Sequence, residues 1–165
     1  MRFQLQTNTF GNPANEALFV IPGWAMPHES MRPLLEYLSR RFYVVAVDLP
    51  GYSLLKSDQP QPLLGPNYDI DALSEQLIEA APAECWWLGW SLGGSIATYV
   101  AAHRSSCVKG LVTIASSPCF VAREDWLYGM DKATFNKFSE LVANDPQAGL
   151  KRFALLQSKG AQDER

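Results

Sequence analysis

Short, continuously apolar runs alternate along this chain with segments whose apolar residues recur at helical spacing. The runs Ala17-Leu18-Phe19-Val20-Ile21, Tyr43-Val44-Val45-Ala46-Val47, Cys85-Trp86-Trp87-Leu88 and Val108-Lys109-Gly110-Leu111-Val112-Thr113-Ile114-Ala115 are of the first kind. They carry the pattern of strands covered on both faces. Phe3 and Leu5 alternate with polar neighbours and predict a half-exposed edge strand ahead of them. Met31, Leu34, Leu35 and Leu38 predict a helix, with Ser30 as its cap and Pro33 tolerated in its first turn. Ile70, Leu73 and Leu77 predict another, capped by Asp69 and ending near Pro82. Ser95 to Ala102 predicts a third, and the Pro- and Gln-rich stretch 56–67 reads as a loop. This alternation implies βαβ units and an α/β fold with a mostly parallel sheet and helices on both faces.

Beyond residue 120 the pattern changes. Two amphipathic helices are expected, from Asp131 to Asn144 and from Asp145 to Ser158, with no strand between them. Phe135, Phe138, Leu141 and Val142 share a face of the first, and Phe153, Leu156 and Gln157 lie on the second. Asp145-Pro146 is a helix-start signal, a capping residue followed by proline at the first helical position. The expected organisation is therefore a core over residues 1–120 and the beginning of a helical lid over 121–165.

Composition narrows the class. Of 165 residues, 47% are apolar and 19% charged, which suits one globular unit with a sizeable core. The formal net charge of −3 argues against non-specific nucleic-acid binding. The start of the chain lacks the apolar stretch of a signal peptide, and no run is long enough for a transmembrane helix. Cys85, Cys107 and Cys119 are odd in number and widely spaced, so reduced thiols are expected in place of a disulfide framework or a zinc site. A cytoplasmic protein without membrane, nucleic-acid or metal partners, and without a cofactor, is the resulting expectation.

The stretch with chemical content is Gly89-Trp90-Ser91-Leu92-Gly93, a G-x-S-x-G pattern between an expected strand and an expected helix. That context makes a nucleophile elbow, a sharp turn that lifts a serine oxygen clear of the sheet. Such a turn crowds the backbone on both sides, and Gly89 and Gly93 carry no Cβ to collide. Ser91 is then the candidate nucleophile. The backbone N–H of Leu92, at a helix N-terminus, is one candidate oxyanion donor. The N–H of Trp24, in the Pro22-Gly23-Trp24 loop after a strand, is the second.

A serine hydroxyl needs a base, usually histidine. Only two histidines are present. His103 lies twelve residues past Ser91 on the helix that the elbow begins, roughly 18 Å away, and reads as a helix-end residue. His28 falls in the loop on the same sheet edge as Ser91 and reads as a surface histidine. Asp48 ends a strand on that edge, but Asp48-Leu49-Pro50-Gly51 reads as a turn. Nucleophile and oxyanion donors are thus supplied without a base.

With these residues the chain resembles the α/β-hydrolase superfamily and, more narrowly, the pimeloyl-acyl-carrier-protein methyl ester carboxylesterases of biotin synthesis. The resemblance rests on Trp87-Leu88-Gly89-Trp90-Ser91-Leu92-Gly93-Gly94, on Gly110 to Phe120 with its Ala115-Ser116-Ser117-Pro118-Cys119-Phe120 run, and on Ala122 to Trp126. Pro22-Gly23-Trp24, Val47 to Gly51 and Arg152-Phe153-Ala154-Leu155-Leu156-Gln157 add to it. It implies an α/β-hydrolase fold and a serine esterase that demethylates a pimeloyl chain on acyl carrier protein. Ser91 would attack, and the N–H groups of Trp24 and Leu92 would hold the oxyanion. Phe153, Ala154, Leu155, Leu156 and Gln157 would wall the acyl pocket, with Trp24 also against substrate, and Arg152 would help dock the acidic carrier. Residues 121–165 hold seven basic and seven acidic side chains, so composition shows no strong anion-binding patch there.

Two departures accompany the resemblance. Pro22 stands where the family commonly has histidine before Gly-Trp, which should reshape the oxyanion loop without removing its donor. The family pattern also runs on past Arg165, through the segments that carry its catalytic acid and histidine. The chain alone is therefore expected to be inactive or nearly so, with the outer edge of the 108–115 strand left open. An incomplete gene, a second chain that completes the fold, and a decayed non-catalytic product are the three explanations, the first being favoured. Alternative functions are a general short-chain carboxylesterase and a non-catalytic fragment that binds an acyl chain or its carrier.

Overall fold

The structure, a computed structural model, describes residues 5–50 and 69–158. The expected loop over 56–67 and the strand position of Phe3 lie outside the described residues. Two compact units divide the chain, Met1–Pro118 and Cys119–Arg165.

The first unit is built on five strands: β1 (Gln6–Phe10), β2 (Glu16–Ile21), β3 (Phe42–Asp48), β4 (Cys85–Trp90) and β5 (Val108–Ile114). Their order is β1-β3-β2-β4-β5. β1 runs antiparallel to β3, and the other neighbours are parallel. Helices α1 (Arg32–Leu38), α2 (Ile70–Ala80) and α3 (Leu92–His103) connect them. This is the α/β-hydrolase arrangement of a mostly parallel sheet between helical layers.

The alternation of side chains along β2 explains the two layers. Leu18 and Val20 pack with Met31, Leu35, Val44, Ala46 and Leu88 in the cluster that takes in α1. Phe19 and Ile21 join Leu73, Leu77, Trp87, Ile96, Ala97 and Val100 in the cluster that takes in α2 and α3. Phe19 meets Trp87 edge-on, their ring centroids 4.9 Å apart, and both are fully buried. A continuously apolar strand is thus apolar because each face has its own core.

Local signals set the helix starts, with one difference from the sequence expectation. Asp69 caps α2, its carboxylate accepting the Asp71 N–H at 3.0 Å. Ser30 does not cap α1. A 3-10 turn, His28–Met31, occupies the approach to the helix, Met31 is the N-cap residue, and the Ser30 hydroxyl donates to the Pro27 carbonyl at 2.6 Å. β5 is the outer strand of the described sheet, and Leu111, Val112 and Ile114 on it are exposed. At its other end, the Lys109 ammonium reaches across β4 to the Glu16 carboxylate and lowers the Glu16 pKa.

In the second unit, α4 (Lys132–Asn144) and α5 (Pro146–Ser158) form a helical pair. Asp131 accepts the Thr134 N–H and Asp145 accepts the Ala148 N–H, so each helix begins on an aspartate. The rings of Phe138 and Phe153 lie 6.1 Å apart between the two helices. Before them, Phe120 packs edge-on against Phe135. Among the described residues no helix is long and apolar enough to cross a membrane.

All three cysteines are free thiols. Cys85 is fully buried, and burial pushes its thiol up to about 11. At about pH 8 roughly one Cys85 in a thousand is thiolate, the form that reacts. A maleimide should therefore label two sites per native chain, Cys107 and Cys119, and a third only in denaturant. Mass spectrometry before and after unfolding counts them, and rapid native labelling of Cys85 would contradict the packing.

Candidate active site

The parallel strands β2, β3, β4 and β5 all finish on one edge of the sheet, so the loops that follow them converge there. From β2 the chain goes first to β3 on one side and then, through α2, to β4 on the other. Such a reversal of winding leaves a crevice at the carboxyl ends of the strands. Ser91, immediately after β4, sits at that crevice.

Its backbone is bent into a conformation that an L-residue seldom takes, with φ 53 and ψ −118. Four hydrogen bonds hold the bend. The Ser91 N–H donates to the Ile114 carbonyl at 2.8 Å. The Ser91 carbonyl accepts from the N–H groups of Gly94 and Ser95 at 3.0 and 3.2 Å, and from the Ser116 hydroxyl at 2.9 Å. A further hydroxyl, that of Ser95, donates to the Ser117 carbonyl at 3.0 Å. The start of α3 is thereby tied to the segment leaving β5. Gly93 also has a steric reason, since a Cβ there would run into the Ile21 and Pro22 carbonyl oxygens of the neighbouring strand end.

Leu92 is the first residue of α3, where a helix offers its N–H no internal acceptor. Trp24 lies in the turn after β2, closed by the Met26 N–H donating to the Gly23 carbonyl at 3.2 Å. Ala25 in that turn has φ 59. A Cβ built on Gly23 would fall 3.3 Å from the Ser91 Cβ, so the loop backbone lies directly against the serine. Beside the elbow, on the α1 side of the sheet, an open apolar depression of about 290 Å³ is lined by Ser30, Met31, Pro33, Leu34, Trp90 and Ile114.

The histidines fall differently from the sequence expectation. His28 is not a surface residue. It is 4% exposed, and its Nδ1 lies 2.9 Å from an Asp48 carboxylate oxygen that also accepts the His28 N–H at 2.7 Å. Asp48 is correspondingly more than a turn residue. The other ring nitrogen, Nε2, lies 3.5 Å from Glu29, which Arg32 holds at 2.8 Å. His103 ends α3, stacked on the Tyr99 ring at 4.1 Å. Neither histidine is hydrogen-bonded to Ser91 among the described residues. Among the described residues no group of acidic, cysteine and histidine side chains could hold a metal ion.

Arg152, Phe153, Ala154, Leu155, Leu156 and Gln157 all lie on α5, in the second unit. Phe153 is half-buried against α4, whereas Leu155 and Leu156 are 64% and 53% exposed, more than the inner face of a helix pair would leave them. The sequence reading missed Ser116 and Ser95 as supports of the elbow and missed the His28–Asp48 pair. Ser116 and Ser117 stood in a recognised run, which was the available signal. His28 and Asp48 are twenty residues apart and belong to no local pattern.

Comparison with known proteins follows this geometry. Residues 16–154 match the family model described as the alpha/beta hydrolase fold. The pimeloyl-acyl-carrier-protein methyl ester esterase of Shewanella sp. (strain MR-7) is 37% identical over 162 residues, 98% of this chain and 57% of that protein. The enzyme of the same name from Nitrosomonas europaea is 35% identical over 160 residues, 97% of this chain and 60% of its own. Among solved structures, a hydrolase from Oleispira antarctica has TM-score 0.72 at 19% identity, covering 90% of this chain and 55% of its own, and shares the fold. An esterase from Exiguobacterium antarcticum has TM-score 0.68 at 24% identity, with the same coverage of 90% and 55%. The chain thus spans somewhat more than half the length of these relatives.

The crowding at the elbow predicts the effect of a single methyl group. Gly93→Ala should destabilise the chain by about 1–3 kcal/mol, because backbone carbonyls cannot give way as a side chain can. Urea unfolding followed by tryptophan fluorescence measures the loss, and an unchanged midpoint would contradict the close approach of α3 to β2.

Proposed function

The chain belongs to the α/β-hydrolase fold family, and we propose that within it this is the Ser91-bearing part of a serine carboxylesterase. The substrate we assign is a methyl ester on a pimeloyl chain carried by acyl carrier protein, the substrate for which its relatives are named. The observation that carries the reading is the backbone of Ser91, φ 53 and ψ −118 between a strand and a helix. A residue held so far from its preferred conformation points to a functional constraint at that position.

In this reaction Ser91 Oγ attacks the ester carbonyl carbon and its proton passes to a base. The negative charge that develops on the carbonyl oxygen is met by the N–H groups of Leu92 and Trp24. Methanol leaves with the proton, an acyl-serine remains, and water attacks it to release the free carboxylate. Trp24 and the α5 residues Phe153, Ala154, Leu155, Leu156 and Gln157 contact the acyl chain, and Arg152 meets the acidic carrier. In this scheme the core ends near residue 120, the lid begins at 121, and the reaction is cytoplasmic.

The base is neither of this chain's histidines. His28 directs Nδ1 to Asp48 and Nε2 toward Glu29, and His103 is at the far end of α3. The base therefore comes from sequence beyond these residues, or from a second chain that completes the site. A second reading, a non-catalytic module that binds an acyl chain or its carrier, is favoured by that same placement of the histidines. Titration of acyl carrier protein against the purified chain tests it, and absence of binding counts against it. A generalist short-chain esterase is distinguished by hydrolysing free and carrier-linked methyl esters equally well once its base is present.

The 165-residue chain should hydrolyse p-nitrophenyl esters no faster than its Ser91→Ala variant, within about twofold, since a triad lacking its histidine performs like one lacking all three members. Supplying the C-terminal part of the Nitrosomonas relative, fused in register, should restore turnover that Ser91→Ala abolishes. Full turnover by the unfused chain would overturn the assignment of the base.

A further inference from the structure

The chemistry proposed above leaves His28 and Asp48 without a role, although both are withdrawn from solvent at the site's edge. Their side chains are 6% and 13% exposed. We propose that the pair is a positioning clamp: it fixes the loop that carries Gly23 and Trp24 over Ser91. The consequence for catalysis rests on the esterase reading, whereas the clamp itself does not.

The loop needs a restraint. It runs from Pro22 to Pro27 and contains Ala25 at φ 59, in the left-handed region. A side chain other than glycine stays there only when the surroundings hold it. Within the turn the Met26 N–H donates to the Gly23 carbonyl at 3.2 Å, at the long end of the normal range. One end of the loop is fixed by β2 and lies against the nucleophile, where a Cβ on Gly23 would be 3.3 Å from the Ser91 Cβ.

His28 fixes the other end, three residues past Ala25. Its backbone N–H and its ring Nδ1–H converge on one oxygen, Asp48 Oδ1, at 2.7 and 2.9 Å. A carboxylate is an acceptor only, so Nδ1 carries the proton. The grip is on main chain and side chain together, which removes both translation and rotation of the residue. Asp48 is the last residue of β3, directly beside β2 in the sheet. The loop therefore spans two adjacent strand ends, with Trp24 between its fixed points. The imidazole is further confined by the Phe10 ring, 6.4 Å away between centroids, and by Glu29, itself held by Arg32. Loosening one end of so short a span moves the N–H groups in its middle, and oxyanion stabilisation depends on where such donors point.

Amide hydrogen exchange on the chain tests the clamp through His28→Ala, Asp48→Ala and Asp48→Asn. Exchange of the Trp24, Ala25 and Met26 amides should quicken about fivefold in His28→Ala, which loses one bond, and about twenty-fivefold in Asp48→Ala, which loses both. Asp48→Asn keeps an acceptor oxygen without its charge and should quicken the loop amides less than Asp48→Ala does. The amides of Phe19 and Val45, inside β2 and β3, serve as the reference for global opening. Loop amides that do not change, or that quicken only in step with Phe19 and Val45, would overturn the clamp. If Asp48→Ala does not fold, His28→Ala against Asp48→Asn still decides it. In the fused enzyme, His28→Ala should lower kcat with little change in KM. A loosened loop with kcat intact would overturn the positioning role. Absence of turnover in the unsubstituted fusion would count against the esterase reading, while the exchange result still decides the clamp.

Discussion

Everything at the carboxyl edge of this sheet depends on the bend at Ser91 being held. A residue other than glycine held at φ 53 and ψ −118 costs about 1–3 kcal/mol, and a lone turn would relax. Here β5, the helix after the serine and the segment beyond β5 all contribute bonds to the Ser91 backbone. The Ile114 carbonyl takes the Ser91 N–H in continuation of the β4–β5 pairing. The Ser116 hydroxyl then reaches the Ser91 carbonyl from the chain's next segment. Strain at the serine is thus a property of three packed elements and not of the five-residue pattern alone.

That distribution explains what could be read from sequence. The strands of the core were legible because Ala17 to Ile21 and Tyr43 to Val47 are apolar at consecutive positions, which only a two-sided core demands. Asp69 and Asp145 were legible as helix starts because a cap is a local hydrogen bond. Ser30 was misread as a cap because its local chemistry is right, yet a 3-10 turn preceding α1 engages its hydroxyl with Pro27. The misplacement of His28 has a different cause. A histidine in a Pro-bounded loop looks exposed, and only the return of β3 beside β2 brings Asp48 to cover it. Burial that depends on two distant segments leaves no trace in the spacing of either.

The two units also differ in how their apolar surface is used. In the first, Trp87, Phe19, Leu73 and Leu77 are fully enclosed. In the second, α4 and α5 meet through Phe138, Phe153 and the close approach of Gly149 to Val142, while Leu155 and Leu156 remain exposed. This helix pair leaves apolar surface outside its own contact, whereas the core of the first unit is closed. The contrast separates a unit with an enclosed core from a helix pair whose apolar side chains are partly open.

The strand order carries a consequence for how the chain acquires its geometry. The central strand β2 is flanked by partners from later in the chain, and Leu18 must wait for Trp86, sixty-eight residues on, before its second edge is paired. Loops of that length close late, because their entropy must be spent before the contact repays it. The bend at Ser91 further requires Ile114 and Ser116, which are made later still on the ribosome. Local and early-forming pieces, such as α1 on the β2–β3 pair, therefore assemble around a serine whose backbone is still relaxed. The bend at Ser91 is complete only with the last closures of the sheet, so no partly folded form of this unit holds the serine in its strained conformation.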